Sequence, residues 1–197
     1  DLKNRNVYIK IVYYYEGIWF AIGSLGSSEG EPPGNGFILR STDNGRTWRA
    51  NPFQETNALA GENPWGAISC SEKTCIIVGF GESTVPVALI SKNLGLTWSR
   101  LNIRLLTNPL STGHGSYFSV HCIKKTCLIG GVYQDNSGLS RPLLQVSQDL
   151  GTTWKTPIQI NQIGASDKGK GDQLPNVSSV SCSGTYCIAT VLVFYST

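Results

Sequence analysis

The residues best suited to chemistry sit in a phrase that occurs three times, as STDNGRTW at 41–48, SKNLGLTW at 91–98 and SQDLGTTW at 147–154. Asp43, Asn93 and Asp149 share its third position. A carboxylate can serve as acid, base or nucleophile, and a pair of them can hydrolyse a glycosidic bond. The same oxygens can instead accept hydrogen bonds from nearby backbone N–H groups and close an Asx-type turn. The rest of the phrase favours the turn. Gly45, Gly95 and Gly151 tolerate a positive φ that a side chain makes costly. Thr47, Thr97 and Thr153 suit the start of an extended strand, while Trp48, Trp98 and Trp154 can each bury ~150–250 Å². Asn93 keeps the acceptor oxygen.

Cysteines are the second candidates. They form three pairs of one spacing, Cys70/Cys75, Cys122/Cys127 and Cys182/Cys187, each between two apolar segments. Zinc knuckles use similar spacings, but they need two pairs brought together, and only two histidines are present. Two strands joined by a tight turn put the flanking cysteines opposite one another, within disulfide reach. Three hairpin disulfides are therefore expected, and with them an oxidising compartment, secreted or periplasmic. A cysteine-free copy precedes them: aligning YYEGIWFAIG with CSEKTCIIVG sets Tyr14 and Trp19 at the positions of Cys70 and Cys75. An aromatic pair there can staple the hairpin where sulfur is absent.

Hairpin and phrase together define a unit of four short strands, A to D, repeating every 50–60 residues. The expected units span 7–50, 65–101 and 117–155, and 177–197 supplies strands A and B of a fourth. No segment has the periodicity and caps of a helix. The expected fold is all-β, with about three and a half four-stranded antiparallel blades of a β-propeller in one repeat domain. The strand at 187–194 lacks its C and D neighbours, so either a longer polypeptide, a second chain or a homodimer completes the half blade, or the repeats form an open or atypical assembly.

Ser-x-Asp-x-Gly-x-Thr-Trp resembles the Asp-box, or BNR repeat, of sialidases and other secreted propellers, and the resemblance covers the first three units. It implies a sialidase-like propeller in which the boxes are folding elements away from the active site. Sialidases of this group add an arginine triad, a Tyr–Glu nucleophile pair, an acid/base Asp and a Phe-Arg-Ile-Pro segment. FILRSTDNG at 37–45 is only a distant echo of that segment. The combination with Cys-x4-Cys hairpins is similar to a repeat of secreted bacterial proteins.

In such a blade the A–B hairpins and the boxes share one end. The B–C loops and the D-to-A connections share the other, and long variable loops are where function resides. Candidates on that loop-rich face are Trp65 and Tyr117, each five residues before its unit's first cysteine, with His114, Asp135, Arg141 and Glu82. Trp65 and Tyr117 either stack on sugar rings or pack in the blade core. Further carboxylates there are Glu29, Glu31, Glu55, Glu62, Asp167 and Asp172.

Composition narrows the partners. Charged residues make up 15% of the chain and the net charge is +3 without a block of like charges, which gives no case for nucleic acid. Lys168-Gly169-Lys170 reads as a solvated loop. No apolar run approaches the ~20 residues of a membrane-spanning helix. No cofactor or metal is expected. The chain opens at Asp1 and contains no Met, as in a mature product or a cut fragment. Asn176 in NVS is a sugar acceptor if the source is eukaryotic. The leading expectation is a binding module for glycan or protein ligands. A glycoside hydrolase and a structural or assembly scaffold are the alternatives.

Overall fold

A computed structural model describes residues 7–25, 36–50, 62–81, 85–103, 111–138, 140–155, 176–184 and 186–192. The described residues form strands and turns only. Blade 1 is the meander β1 (Val7–Tyr15), β2 (Ile18–Leu25), β3 (Gly36–Ser41) and β4 (Arg49–Ala50). Blade 2 repeats it with β5 (Glu62–Ser71), β6 (Thr74–Gly81), β7 (Pro86–Ser91) and β8 (Ser99–Arg100). Blade 3 contains β9 (Ser111–Ile123), β10 (Thr126–Asp135) and β11 (Ser140–Ser147). Among the described residues its fourth strand contributes the bond from Lys155 N–H to the Val146 carbonyl, at 2.9 Å. The last sheet pairs β12 (Asn176–Ser183) with β13 (Tyr186–Leu192). Every strand pairing is antiparallel, as in propeller blades.

The cysteines meet as the spacing requires. Cys70, Cys122 and Cys182 face Cys75, Cys127 and Cys187 in register, with Cα–Cα separations of 4.0, 4.1 and 4.1 Å, and all three pairs are disulfides. They indicate an oxidising compartment. In blade 1 Tyr14 faces Trp19 in register, with ring centroids 4.9 Å apart. No helix among the described residues is long and apolar enough to cross a membrane.

One irregularity recurs in all four sheets. Register shifts fall between Ile9 and Ile11, Asn63 and Ala67, Tyr117 and Ser119, and Val177 and Ser179. In blades 1 and 3 and the last sheet the unmatched residue lies four before the first cysteine or, in blade 1, before Tyr14; in blade 2 the shift spans 64–66. An extra residue reverses the in–out alternation upstream of it. In blade 3 and the last sheet the residue five before the cysteine, Tyr117 or Val177, therefore joins the same face as the cysteine.

Blades stack face to face through three apolar clusters. Ile18, Phe20, Ile22 and Ile38 of blade 1 pack on Ile68, Cys70, Ile77 and Trp98 of blade 2. Ile76, Val78, Ala88 and Ile90 of blade 2 pack on Tyr117, Val120, Cys122 and Ile129 of blade 3. Leu128 of blade 3 packs on Val177, Val180 and Cys182. Phe20 meets Trp98 edge to face at 6.4 Å and 83°, a geometry worth ~0.5–1.5 kcal/mol beyond area burial.

Candidate functional site

The repeated phrase builds a closed hydrogen-bonded turn. In the first copy Ser41 Oγ and Thr47 N–H donate to Asp43 Oδ1 at 2.7 and 2.8 Å, and Thr47 Oγ1 donates to Oδ2 at 2.6 Å. The third copy repeats this with Ser147, Thr153 and Asp149 at 2.7, 2.8 and 2.5 Å. These hydrogen bonds, led by the threonine hydroxyl, hold both carboxyls down at about 2. Such groups stay ionised and saturated at neutral pH, which suits neither a general acid nor a base. In the second copy Asn93 Oδ1 accepts from Ser91 and Thr97 N–H, and its amide donates to Thr97 Oγ1 at 2.9 Å. The turn thus survives loss of the charge by reversing one bond.

Two positive-φ residues in succession shape each turn: Asn44–Gly45, Leu94–Gly95 and Leu150–Gly151. Leu94 and Leu150 N–H groups donate to the Lys73 and Lys125 carbonyls of the A–B hairpins at 2.9 Å. Boxes and hairpins therefore share one end of the blades. Cations tie that end across blades, with Arg40 Nε donating to the Leu94 carbonyl and Lys92 Nζ to the Leu150 carbonyl at 3.0 and 2.7 Å.

At the opposite end, the structure brings two of the candidates together. Tyr133 of β10 faces Arg141 of β11 in register. Arg141 Nε donates to Asp135 Oδ2 at 2.9 Å, and Ser137 donates to Asp135 Oδ1 from both N–H and Oγ, at 3.0 and 2.6 Å. A bond from Gly138 N–H to the Asp135 carbonyl closes the turn. An ion pair this accessible contributes about 0–1 kcal/mol, so its main effect is to orient the guanidinium. The Arg141 side chain stays 37% exposed. Beside it Tyr133 is half-buried against the cluster joining blades 2 and 3. Burial raises the pKa of its phenol, Arg141 opposes this, and Asp135 adds to it.

His114 is exposed on β9, next to Gly115, which faces Tyr133 in register. It joins the same end of blade 3. Tyr117 does not: it is 2% exposed, packs between blades 2 and 3, and donates its hydroxyl to Gln145 Oε1 at 3.1 Å. The bulge at Phe118 turns it inward, so it offers no ring to a ligand. Trp65 lies in β5 with its side chain outside the described residues, and Glu82 lies wholly outside them. Glu29, Glu31, Glu55, Asp167 and Asp172 are also outside, as is the side chain of Glu62.

Tyr133, Ser137 and Gln145 were not anticipated. Aligning the boxes sets Gln145 where the other blades carry Leu39 and Leu89, and that break in apolar patterning was the available signal for a buried polar contact. The B–C connection of blade 3, expected as a long variable loop, is short, because β10 runs to Asp135 and β11 begins at Ser140.

No protein-family profile and no curated protein matches the sequence. Solved structures do. A Trypanosoma rangeli sialidase in complex with 2,3-difluorosialic acid aligns over 95% of this chain at 15% identity, with a TM-score of 0.55. A mutant of that sialidase with trans-sialidase activity aligns over 95% at 14% identity, with a TM-score of 0.52. The GH93 α-L-arabinofuranosidase of Fusarium graminearum, in complex with arabinobiose, aligns over 81% at 16% identity, with a TM-score of 0.50. This chain spans 34% of the sialidase chains and 48% of the arabinofuranosidase. The sheets described above are thus blades of a sialidase-like β-propeller.

Proposed function

We propose that this chain is a secreted glycan-binding module whose ligand site lies at the loop-rich end of blade 3. The observation that carries this reading is the Arg141 guanidinium held by Asp135 and paired across the strands with half-buried Tyr133. An oriented guanidinium hydrogen-bonds sugar hydroxyls or carboxylates, and an aromatic ring covers the apolar C–H face of a sugar. His114 and Ser137 add polar groups at the same end. Complexes of the fold's neighbours with 2,3-difluorosialic acid and arabinobiose make acidic and neutral sugars the two ligand classes to compare.

Hydrolysis is the second reading, favoured by the enzymes among those neighbours. Cleavage by the usual route takes two carboxylates flanking the scissile bond. The described part of this face supplies Asp135, whose oxygens are engaged by Arg141 and Ser137. That supports binding over turnover.

A glycan-array screen run beside an assay on chromogenic glycosides separates the readings. Binding without turnover is expected, with Arg141→Gln and Tyr133→Ala each weakening it at least ~10-fold, or about 1.4 kcal/mol. Turnover would replace binding with hydrolysis. A blank array and no turnover would leave a scaffold or protein-binding role.

A further inference from the structure

The turn between Asp135 and Arg141 is shaped by its own hydrogen bonds. Gln134 Nε2 donates to the Gly138 carbonyl at 2.9 Å, and Gly138 N–H donates to the Asp135 carbonyl at 2.9 Å. Ser137 N–H adds its bond to Asp135 Oδ1 at 3.0 Å. Polar groups on this turn are therefore placed before a ligand arrives, which lowers the ordering cost of binding. Asp135 divides its carboxylate between two neighbours, with Ser137 on Oδ1 and Arg141 on Oδ2.

Each neighbour is left with one kind of polar capacity. A carboxylate only accepts, so the Ser137 hydroxyl gives Asp135 its hydrogen, at 2.6 Å, and keeps lone pairs for another partner. Arg141 commits Nε to Asp135, and its Nη groups can only donate. Both side chains reach solvent. One acceptor and one set of donors thus stand on the two oxygens of a single carboxylate. Sugar hydroxyls both give and take a hydrogen, so a pair of them satisfies both groups. A ligand carboxylate gains the Arg141 donors but meets the Ser137 lone pairs and the charge of Asp135.

Charge points the same way. Asp135 answers the charge of Arg141, which makes the pair neutral. In the sequence, the segments joining strand B to C and one unit to the next are 24–36, 50–66, 81–86, 102–116, 133–142 and 156–176. They hold eight of the chain's 13 Asp and Glu but four of its 16 Lys and Arg. Such an excess of carboxylates slows the approach of an anion and weakens its binding. Resting on the glycan-binding reading above, we propose that the ligand is a neutral sugar gripped through two hydroxyls by Arg141 and Ser137, and that sugars bearing a carboxylate are rejected.

The test measures binding to matched glycans, galactosides with and without a terminal sialic acid and glucosides beside glucuronides. Neutral members should bind at least ~10-fold tighter than their acidic counterparts. Their affinity should change less than ~2-fold between low and high salt, because no ion pair with the ligand is there to be screened. Ser137→Ala should weaken neutral binding ~2- to 10-fold, the range of one net hydrogen bond. It keeps the N–H bond that shapes the turn, so its circular dichroism should match wild type. Asp135→Asn removes the negative charge beside Arg141 and should narrow the gap between neutral and acidic members. Equal or tighter binding of the acidic members overturns the neutral assignment and leaves the glycan-binding reading standing. So does full neutral binding by Ser137→Ala, or an unchanged gap in Asp135→Asn. Absence of binding to every glycan overturns both.

Discussion

Alanine at Gly95 and at Gly45 asks the same backbone question in two different surroundings. Both glycines close an Asp-box turn, with φ of +76° and +80°. A Cβ in that left-handed region costs ~1–2 kcal/mol at either site. At Gly45 the added methyl meets only ordinary contact, 3.6 Å from Trp48. At Gly95 it lands 2.3 and 2.9 Å from Phe20 Cε1 and Cζ. Phe20 is fully buried in the cluster joining blades 1 and 2, so it has little room to retreat. Overpacking of that kind costs a further ~1–3 kcal/mol. Urea unfolding of the two variants reads the difference directly. Gly95→Ala should lose ~1–3 kcal/mol more than Gly45→Ala, about 5- to 160-fold in the folding equilibrium. Adding Phe20→Leu to Gly95→Ala should recover part of the loss. Equal losses at the two glycines, with no recovery, would refute the account of box turns as sockets for the preceding blade.

Three further outcomes follow from the same contacts. Asp43 and Asp149 are held at about 2, below the ordinary 3.8, so the stability they add is complete above that range and lost as pH falls toward 2. An Asp43→Asn, Asp149→Asn double variant should fold at neutral pH, as Asn93 already does in its box, and lose less stability between pH 4 and 2; an unchanged acid-melting curve would contradict this. Tyr117→Phe should lower stability by ~0.5–1.5 kcal/mol in a thermal melt, through loss of the bond to Gln145, and leave glycan binding intact; a binding defect without a stability defect would return Tyr117 to the ligand site. Alkylation of the native chain should label no cysteine until reductant is added, and each short disulfide removed by paired Cys→Ala change should cost ~2 kcal/mol in the chain-entropy view.

Much of the fold is legible in residue spacing, because boxes and hairpin cysteines use local chemistry. Ser41, Asp43, Gly45 and Thr47 satisfy one another within a single turn, so four residue types at fixed offsets suffice to mark it. Tyr14 and Trp19 were recognisable as a cysteine substitute for the same reason: their pairing is set by a tight hairpin. Tyr117 was harder. Alternation from Cys122 places Val120 and then Phe118 on the inner face, but the bulge gives that place to Tyr117. The bulge involves no signature residue, since Lys10, Phe118 and Ser178 stand at equivalent positions. The Asp135–Arg141 contact was half visible. Both residues were candidates, but their meeting depends on a tight turn at 136–138 where a long variable loop was expected. Tyr133 escaped notice because its role comes from a neighbour across the sheet.

The most direct test of where this protein works compares one substitution at each end of blade 3. Wild type, Arg141→Gln and Asp149→Asn are profiled on a glycan array that includes sialosides and arabinosides. Binding by wild type and Asp149→Asn, with at least a ~10-fold loss in Arg141→Gln, is the predicted result. Full binding by Arg141→Gln together with loss in Asp149→Asn would place the ligand at the box end and contradict the account.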